Sequence, residues 1–153
     1  MAYKHTQIGY TAVLVLIGMV VLVATVGAAV RGEENGSLTL GIMGGASAVI
    51  AIVVIWFSRL TVIVGAGEVR AHFGLGIPKR VIPVHNIVGI KQVRNRWYYG
   101  WGVRNMGNAW MFNVWGLDAV ELDLTNGKRF RIGTDEPAEL LAALSAHTAL
   151  RPG

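Results

Sequence analysis

The sequence predicts an α+β protein in which a transmembrane hairpin of two helices precedes a domain of short antiparallel strands and one C-terminal helix. Three observations favour this fold class. Two uncharged apolar stretches, residues 8–30 and 38–57, are separated by only seven residues. Beyond Phe57 the apolar residues follow the period of strands, with glycines and prolines between them. After Thr134 the leucines have the spacing of an amphipathic helix.

Each apolar stretch is long enough to cross a bilayer, because a helix needs roughly 20 apolar residues to span the hydrocarbon core. Neither stretch contains Asp, Glu, Lys, Arg or His, which argues against a proton path, an ion pathway or a transport site. We predict a transmembrane helical hairpin at residues 1–58 and a cytoplasmic domain at residues 59–153. A cleaved signal peptide is disfavoured, since the first stretch exceeds the usual apolar length of about 7–15 residues.

Charges beside the stretches predict the orientation. Lys4 precedes the first stretch, whereas the connecting loop sets Arg31 against Glu33 and Glu34. The residues after the second stretch are basic, and positively charged flanks stay in the cytoplasm. We therefore expect an integral protein of the cytoplasmic (inner) membrane, with both termini in the cytoplasm and the connecting loop outside.

Small residues within the stretches are candidates for close helix packing, because they let backbones approach each other within lipid. They are Gly41, Gly44, Gly45 and Ala48 in the second stretch and Ala24, Gly27 and Ala28 in the first. Two explanations stay open. The residues could pack the hairpin against itself, or they could form a surface for a helix of another protein.

The soluble half begins with predicted strands at residues 60–64, 68–73, 80–84 and 87–93. Residues 120–132 form a hairpin whose loop is selected by side-chain parity. A two-residue turn would pair Leu122 with Arg131 and bury charge. A three-residue loop with Gly127 left-handed instead pairs Leu122 with Phe130. The same register pairs Val120 with Ile132, Glu121 with Arg131, and Asp123 with Arg129.

The final helix is predicted from its cap and its apolar stripe. Thr134 and Asp135 are capping residues, and Pro137 is tolerated in the first turn. Leu140, Leu141 and Leu144 then fall on one side of the helix. The predicted domain is thus a set of short strands closed by one amphipathic helix.

Four segments of the second half carry a family resemblance. They are Gly-Trp-Gly-Val-Arg at Gly100–Arg104, the Trp-rich strand after it, the hairpin Glu-Leu-Asp-Leu-Thr-Asn-Gly-Lys-Arg-Phe-Arg-Ile-Gly-Thr-Asp, and the helix Pro-Ala-Glu-Leu-Leu-Ala-Ala-Leu. Together they resemble the bacterial pleckstrin-homology-like (PH-like) domain of small membrane proteins, over residues 60–150. The resemblance implies a partly open barrel of two bent antiparallel sheets capped by the final helix, and no catalytic activity. Inositol-phosphate binding is not expected, because the loop Gly65–Gly67 carries no cation.

Basic and aromatic residues concentrate in the part of the domain next to the membrane. From Arg59 to Arg104 there are eight Lys or Arg and one acid, Glu68. Juxtamembrane cations gain about 1 kcal/mol each from an anionic leaflet, and aromatic residues with arginine mark protein and membrane interfaces. A solvated basic surface is the alternative explanation. The candidate lipid or partner face comprises Lys79, Arg80, Arg94, Arg96, Trp97, Tyr98, Tyr99, Trp101 and Arg104.

Recognisable chemistry is missing from the sequence. The four histidines lack metal-ligand spacing, no cysteine is present, and neither a phosphate-binding loop nor a nucleophile elbow occurs. We expect no enzyme, no metal, no cofactor and no nucleic-acid partner. The predicted function is a membrane-anchored binding or scaffolding protein that contacts membrane lipid, or a protein partner in or on the membrane. The alternative is an accessory structural subunit of a larger integral-membrane complex, for example a respiratory or photosynthetic assembly.

Overall fold

A computed structural model describes residues 3–148 as two apolar helices, two sheets and a C-terminal helix. The elements are β1 (Tyr3–Ile8), α1 (Thr11–Ala29), α2 (Gly36–Phe57), β2 (Arg59–Gly65), β3 (Glu68–Phe73), β4 (Lys79–Pro83), β5 (Ile87–Arg94), β6 (Gly102–Asn105), β7 (Ala109–Asn113), β8 (Asp118–Leu124), β9 (Arg129–Gly133) and α3 (Pro137–Thr148). The predicted α+β class is confirmed at this level. The outer limits of the predicted domains, residues 1 and 153, and the end of segment 60–150 lie outside the described residues.

The two apolar helices α1 and α2 pack side by side and are long and apolar enough to cross a membrane. Of the window Ala12–Ala29 only 6% is buried within the chain, and in α2 only Gly36, its first residue, is buried. A core helix of a soluble domain would be mostly covered by its own protein. Apolar surface of this extent therefore needs lipid or another protein around it.

The first sheet has the strand order β1-β2-β3-β4, with every pair antiparallel. Its first strand was not predicted, because Tyr3–Ile8 contains four consecutive polar residues and little apolar alternation. β1 pairs with β2 along its whole length, from Tyr3 opposite Val64 to Ile8 opposite Arg59. The helix pair is therefore an insertion between two neighbouring strands, and both of its ends meet at one end of one sheet.

The second sheet has the order β5-β8-β9-β7-β6. Its β8–β9 hairpin confirms the predicted register, with Leu122 opposite Phe130 and Gly127 at a φ of +74°. One pairing departs from the predicted antiparallel order, because β7 and β9 are parallel. β8 already lies between β5 and β9, so the preceding β6–β7 hairpin docks on the remaining free edge of β9.

The core lies between the two sheets and under α3. Rings of Phe73, Phe112 and Phe130 meet in sequence, with centroids 5.1 Å apart at each contact. α3 covers this core with Leu140, Leu141 and Leu144, as its stripe predicts. The Glu136 backbone N–H donates to the hydroxyl oxygen of Thr134 at 3.0 Å, one residue before α3 begins, so this bond orders the approach to the helix rather than capping its first turn. The sheets do not close into a barrel.

A buried carboxylate stands on the second sheet, on the side away from the core. Glu121 is 1% exposed and accepts from Arg131 Nε at 3.0 Å and from Lys91 Nζ at 3.1 Å. Burial by itself raises the pKa of this carboxyl, but hydrogen bonds from Arg131 and Lys91 outweigh burial and hold the pKa below its usual value. Arg131 also donates to the buried Asn95 side chain at 2.9 Å, which ties the cluster to the loop after β5.

Candidate functional site

Three loops of the domain lie at the end where the helices enter, which we call the helix-side end. They are residues 74–78 after β3, residues 95–101 after β5 and residues 114–117 after β7. The Gly9 N–H donates to Ser58 O at 2.7 Å, which joins the two helix entries. A Cβ placed on Gly9 would stand 2.6 Å from the Val114 carbonyl oxygen, so the third loop lies directly against this junction.

The loop of residues 74–78 presents two apolar side chains beside the end of α2. Leu75 is 87% exposed and Ile77 is 68% exposed. The indole N–H of Trp56, in the last turn of α2, donates to the Ile77 carbonyl. Gly74 has a φ of +45°, and its Cα lies so close to Trp56 that a Cβ would meet the Trp56 carbonyl oxygen at 2.7 Å. The loop is thus held against the helix while its tip points into the surroundings.

The loop of residues 95–101 presents aromatic side chains at the same end. Trp97 is 80% exposed, and its neighbour Tyr98 accepts a hydrogen bond from Arg96 at 2.6 Å. Trp101 stacks on Trp115 with centroids 5.9 Å apart and planes 10° from parallel. Trp115 in turn makes an edge contact with Tyr10 at the start of α1, at 6.0 Å. The aromatic loop is therefore continuous with the base of the helix pair.

Cations flank both loops. Lys79 and Arg80 follow the first loop at the start of β4, while Arg94 precedes the second loop and Arg96 lies within it. All four side chains are exposed. Within residues 3–148 none of them forms an ion pair with a carboxylate. Their charge is therefore available to an anionic ligand or surface.

The structure brings part of the predicted face together and adds to it. Arg94, Arg96, Trp97, Tyr98, Tyr99 and Trp101 share the second loop and its border, and Arg104 lies on β6 near Gly100. Lys79 and Arg80 lie on the other sheet. Sequence reasoning missed Leu75 and Ile77. Two large apolar residues inside a segment punctuated by Gly74, Gly76 and Pro78 were the available signal, because turns are usually polar.

The small residues of the helices are placed largely on open surface. A Cβ on Gly27 would touch Leu40 at 3.3 Å, so this glycine lies between the two helices. A Cβ on Gly41, Gly44 or Gly45 would meet nothing within 4 Å. Ala24, Ala28 and Ala48 are exposed. An apolar groove of about 510 Å³ runs beside this surface, lined by Ala24, Gly44, Ala48 and their neighbours.

A polar contact joins the first strand to the last helix. His5 of β1 lies 2.7 Å from Asp135 Oδ1 and 3.1 Å from Glu136 Oε2, just before α3. Burial, together with the charges of Glu136 and Asp135, raises the pKa of Tyr3 to about 12, so this phenol stays neutral. The contact spans 130 residues of sequence and fixes the N-terminal strand to the domain.

Comparisons with known proteins add no assignment to this geometry. No protein-family model matches the chain, and no curated protein matches it in sequence. Among residues 3–148 no group of three or more His, Cys, Asp or Glu side chains is arranged to hold a metal ion. The arrangement at the helix-side end is one of apolar tips with cationic borders.

Proposed function

We propose that the protein is a non-enzymatic, membrane-anchored binding or scaffolding protein whose soluble domain rests on the bilayer with its helix-side end. One observation carries this proposal. Residues 59–148 contain eight exposed large apolar side chains, and five of them, Leu75, Ile77, Trp97, Tyr98 and Trp101, lie in the two loops beside the helices. The exposed apolar side chains of the domain are thus concentrated at the helix-side end.

The physical chemistry of the interface agrees with this placement. Aromatic rings favour the head-group layer, and apolar tips gain about 25 cal/mol for each Å² removed from water. Cations next to an anionic leaflet contribute about 1 kcal/mol each. Lys79 lies two residues beyond Ile77, at the start of β4, so it lies close to the head groups when Ile77 enters the acyl boundary. The two loops act as paired contacts on either side of the helix base.

A PH-like domain is the family that we propose for the soluble part. In support, two sheets are followed by a C-terminal helix that packs over the core, and every pairing is antiparallel except the one between β7 and β9. The β6–β7 hairpin is the departure from the implied order. It extends the second sheet and leaves the antiparallel pairs β5–β8 and β8–β9 intact.

The inner membrane, with both termini in the cytoplasm, is the proposed location. Support comes from the basic residues on the domain side and the acidic pair in the α1–α2 connection. The pairing of β1 with β2 adds to this, because a sheet can form only from strands on the same side of the bilayer.

Site-directed spin labelling tests the contact with lipid. The chain has no cysteine, so single substitutions Leu75→Cys and Trp97→Cys give unique labels. In nanodiscs, we expect oxygen, which concentrates in lipid, to relax both labels more strongly than a water-soluble nickel complex. Ala66→Cys, in the β2–β3 turn at the opposite end, is the matched control and should show the reverse. Equal nickel accessibility at Leu75 and Ala66 would refute the proposal.

The accessory subunit is a second candidate, favoured by the open small-residue surface of α2. Gly41, Gly44 and Gly45 leave backbone exposed where a foreign helix could approach closely. Native electrophoresis of solubilised membranes tests it. A high-mass complex that dissociates in Gly44→Leu but persists in Gly18→Leu would support the subunit role, since Gly18 has open space around it on α1. A small particle in the unaltered protein would exclude it.

A further inference from the structure

An open seam separates the two sheets on the side opposite α3. β4 is the last strand of the first sheet and β6 is the last strand of the second, and neither has a second neighbour among the described residues. A groove of about 220 Å³ lies along this seam, between Lys79 and Arg80 on one side and Val103, Trp110, Phe112 and Phe130 on the other. We call it the seam groove.

The backbone of β4 offers hydrogen bonds toward the seam. Phe73 N–H donates to Pro78 O at 3.0 Å and Val84 N–H donates to Gly67 O at 2.8 Å. In an antiparallel pair the bonded residues alternate, so the even-numbered residues of β4 face β3. The backbone N–H and C=O groups of Lys79 and Val81 therefore point away from the sheet. Pro83, the next outward-facing residue, lacks an N–H, which limits any added strand to a short segment.

The side chains around the seam groove favour a ligand that carries negative charge and an apolar group. Lys79 and Arg80 are exposed and unpaired with any described carboxylate, and no acidic residue lines the groove. Phe112 and Phe130 form the floor, and Trp110 remains 44% exposed at the margin. Residues 59–148 have three exposed large apolar side chains outside the helix-side loops, and two of them are Trp110 and Val81. The groove is smaller than the usual ligand pocket of about 300–1,000 Å³, so it suits single side chains.

We propose that the seam groove binds a short, extended, acidic peptide segment of a partner protein, which adds to β4 as a further strand. Its backbone bonds to Lys79 and Val81, an apolar or aromatic side chain enters the groove against Phe112 and Trp110, and its carboxylates meet Lys79 and Arg80. This deepens the proposed function by naming the partner, and it rests on the binding role rather than on the contact of the loops with lipid.

The position of the groove defines which partner segments can reach it. β4 begins one residue after the 74–78 loop, so the groove starts near the bilayer and runs away from it. An extended chain rises about 3.4 Å per residue, and five residues cover the free edge of β4. A juxtamembrane or cytoplasmic tail of another membrane protein fits this geometry.

Fluorescence anisotropy with defined peptides tests the proposal on the full chain in phosphatidylcholine nanodiscs. The probes are labelled pentapeptides with Phe, Trp, Leu or Val at positions two and four, and with Glu, Ser or Lys at the other positions. We expect the Glu series to bind, the Ser series to bind more weakly and the Lys series not to bind. Failure of every Glu peptide to bind would overturn the proposal.

Variants then locate the site. Arg80→Glu should weaken binding of the Glu series at least tenfold, and Val81→Pro should do the same by removing one backbone donor. Lys128→Glu makes the same charge change in the exposed β8–β9 loop and should alter affinity less than twofold. Unchanged binding in Arg80→Glu, with an unchanged melting midpoint, would place the peptide elsewhere and refute the seam groove.

A lipid occupant is the competing outcome. Two results together would identify the groove as a head-group site and overturn the peptide proposal. The first is that Glu peptides bind in phosphatidylcholine nanodiscs but not when phosphatidylglycerol is added. The second is that Val81→Pro leaves the affinity for Glu peptides unchanged. The spin label at Leu75 distinguishes failure of the peptide proposal from failure of the proposed contact with lipid. A label in lipid together with absent peptide binding removes this inference alone, whereas a label in water removes the proposed contact with the bilayer.

Discussion

At the scale of single residues, Glu121 and its partners Arg131 and Lys91 fix the base of the loop of residues 95–101. Glu121 accepts from Arg131 and Lys91, and Arg131 also holds Asn95, the first residue of the loop that carries Trp97 and Trp101. Asn95 N–H donates to Leu117 O at 2.6 Å, so the loop base is fixed from two sides. A buried charge with complete partners is costly to break, because removal of one partner leaves the others desolvated.

We predict that Glu121→Gln destabilises the domain by about 1.5–3 kcal/mol, the range for hydrogen bonds to charged groups. The melting midpoint of the full chain, followed by circular dichroism in nanodiscs, should fall by roughly 10 °C. The pKa of Glu121 lies below its ordinary 4.5, so its contribution is present above that value and is lost as the pH falls through the lower pKa of the folded state. Glu121→Gln should therefore show a smaller loss of stability on acidification.

Asp123→Asn is the matched control for this prediction. Asp123 lies on the same strand, but it is 37% exposed and its ion pair with Lys91 is longer, at 3.5 Å. Surface pairs of this kind contribute about 0–1 kcal/mol. If Asp123→Asn and Glu121→Gln lowered the midpoint equally, burial of Glu121 would not be the source of its effect.

Gly9 gives a second prediction at the scale of one residue. It lies between β1 and α1, and a Cβ would stand 2.6 Å from the backbone oxygen of Val114. Because a backbone atom cannot rotate away, Gly9→Ala should shift the 114–117 loop and cost about 1–3 kcal/mol. Gly18→Ala on α1, where nothing lies within 4 Å, should leave the midpoint unchanged or raise it. A lower midpoint in both variants would contradict this explanation.

At the scale of elements, the local sequence pattern predicted the elements that depend on neighbouring residues. The β8–β9 register follows from side-chain parity around Gly127, and α3 follows from its three leucines, so both were predictable. β1 was not, because its identity as a strand depends on a partner more than 50 residues later. The β7–β9 parallel pair was likewise hidden, since it is a contact between hairpins rather than within one.

A disulfide tests the pairing of β1 with β2. Thr6 and Thr61 are opposite each other, and their hydroxyl oxygens are 2.9 Å apart. In a chain without other cysteines, Thr6→Cys combined with Thr61→Cys should oxidise and shift the mobility of the denatured chain on a non-reducing gel. Thr6→Cys with Ala71→Cys, one strand further away, should not. Equal oxidation of both pairs would indicate that β1 is not fixed in the sheet.

At the scale of the whole molecule, the residues of the candidate site were predictable from the sequence only in part. Arg94 to Trp101 are neighbours in sequence, and aromatic and basic composition was enough to select them. Their relation to Lys79 and Arg80 required the arrangement of two sheets around the helix base, which no local pattern contains. Leu75 and Ile77 were missed for a different reason. Their apolar character inside a turn was visible in the sequence, but their position beside the end of α2 depends on the contact of this turn with Trp56.

The topology of the chain provides the prediction at this scale. Asn35→Cys lies in the connection between α1 and α2, and Asn126→Cys lies in the β8–β9 loop. An impermeant maleimide should label Asn35→Cys only in right-side-out vesicles of the inner membrane and Asn126→Cys only in inverted vesicles. Labelling of both positions from one side would show that the helix pair does not cross the bilayer.

The insertion of the helix pair between β1 and β2 also governs the order of assembly. β1 leaves the ribosome before α1, and its neighbour β2 follows only after α2. In a chain that spans the bilayer, β1 waits unpaired until the second helix has returned the chain to the starting side. If the second helix failed to cross, β1 and β2 would lie on opposite sides of the bilayer. Both would remain unpaired, and an unpaired strand edge promotes aggregation. The first sheet can therefore be completed only after both helices have been inserted, and a chain that is inserted wrongly keeps an unpaired strand edge.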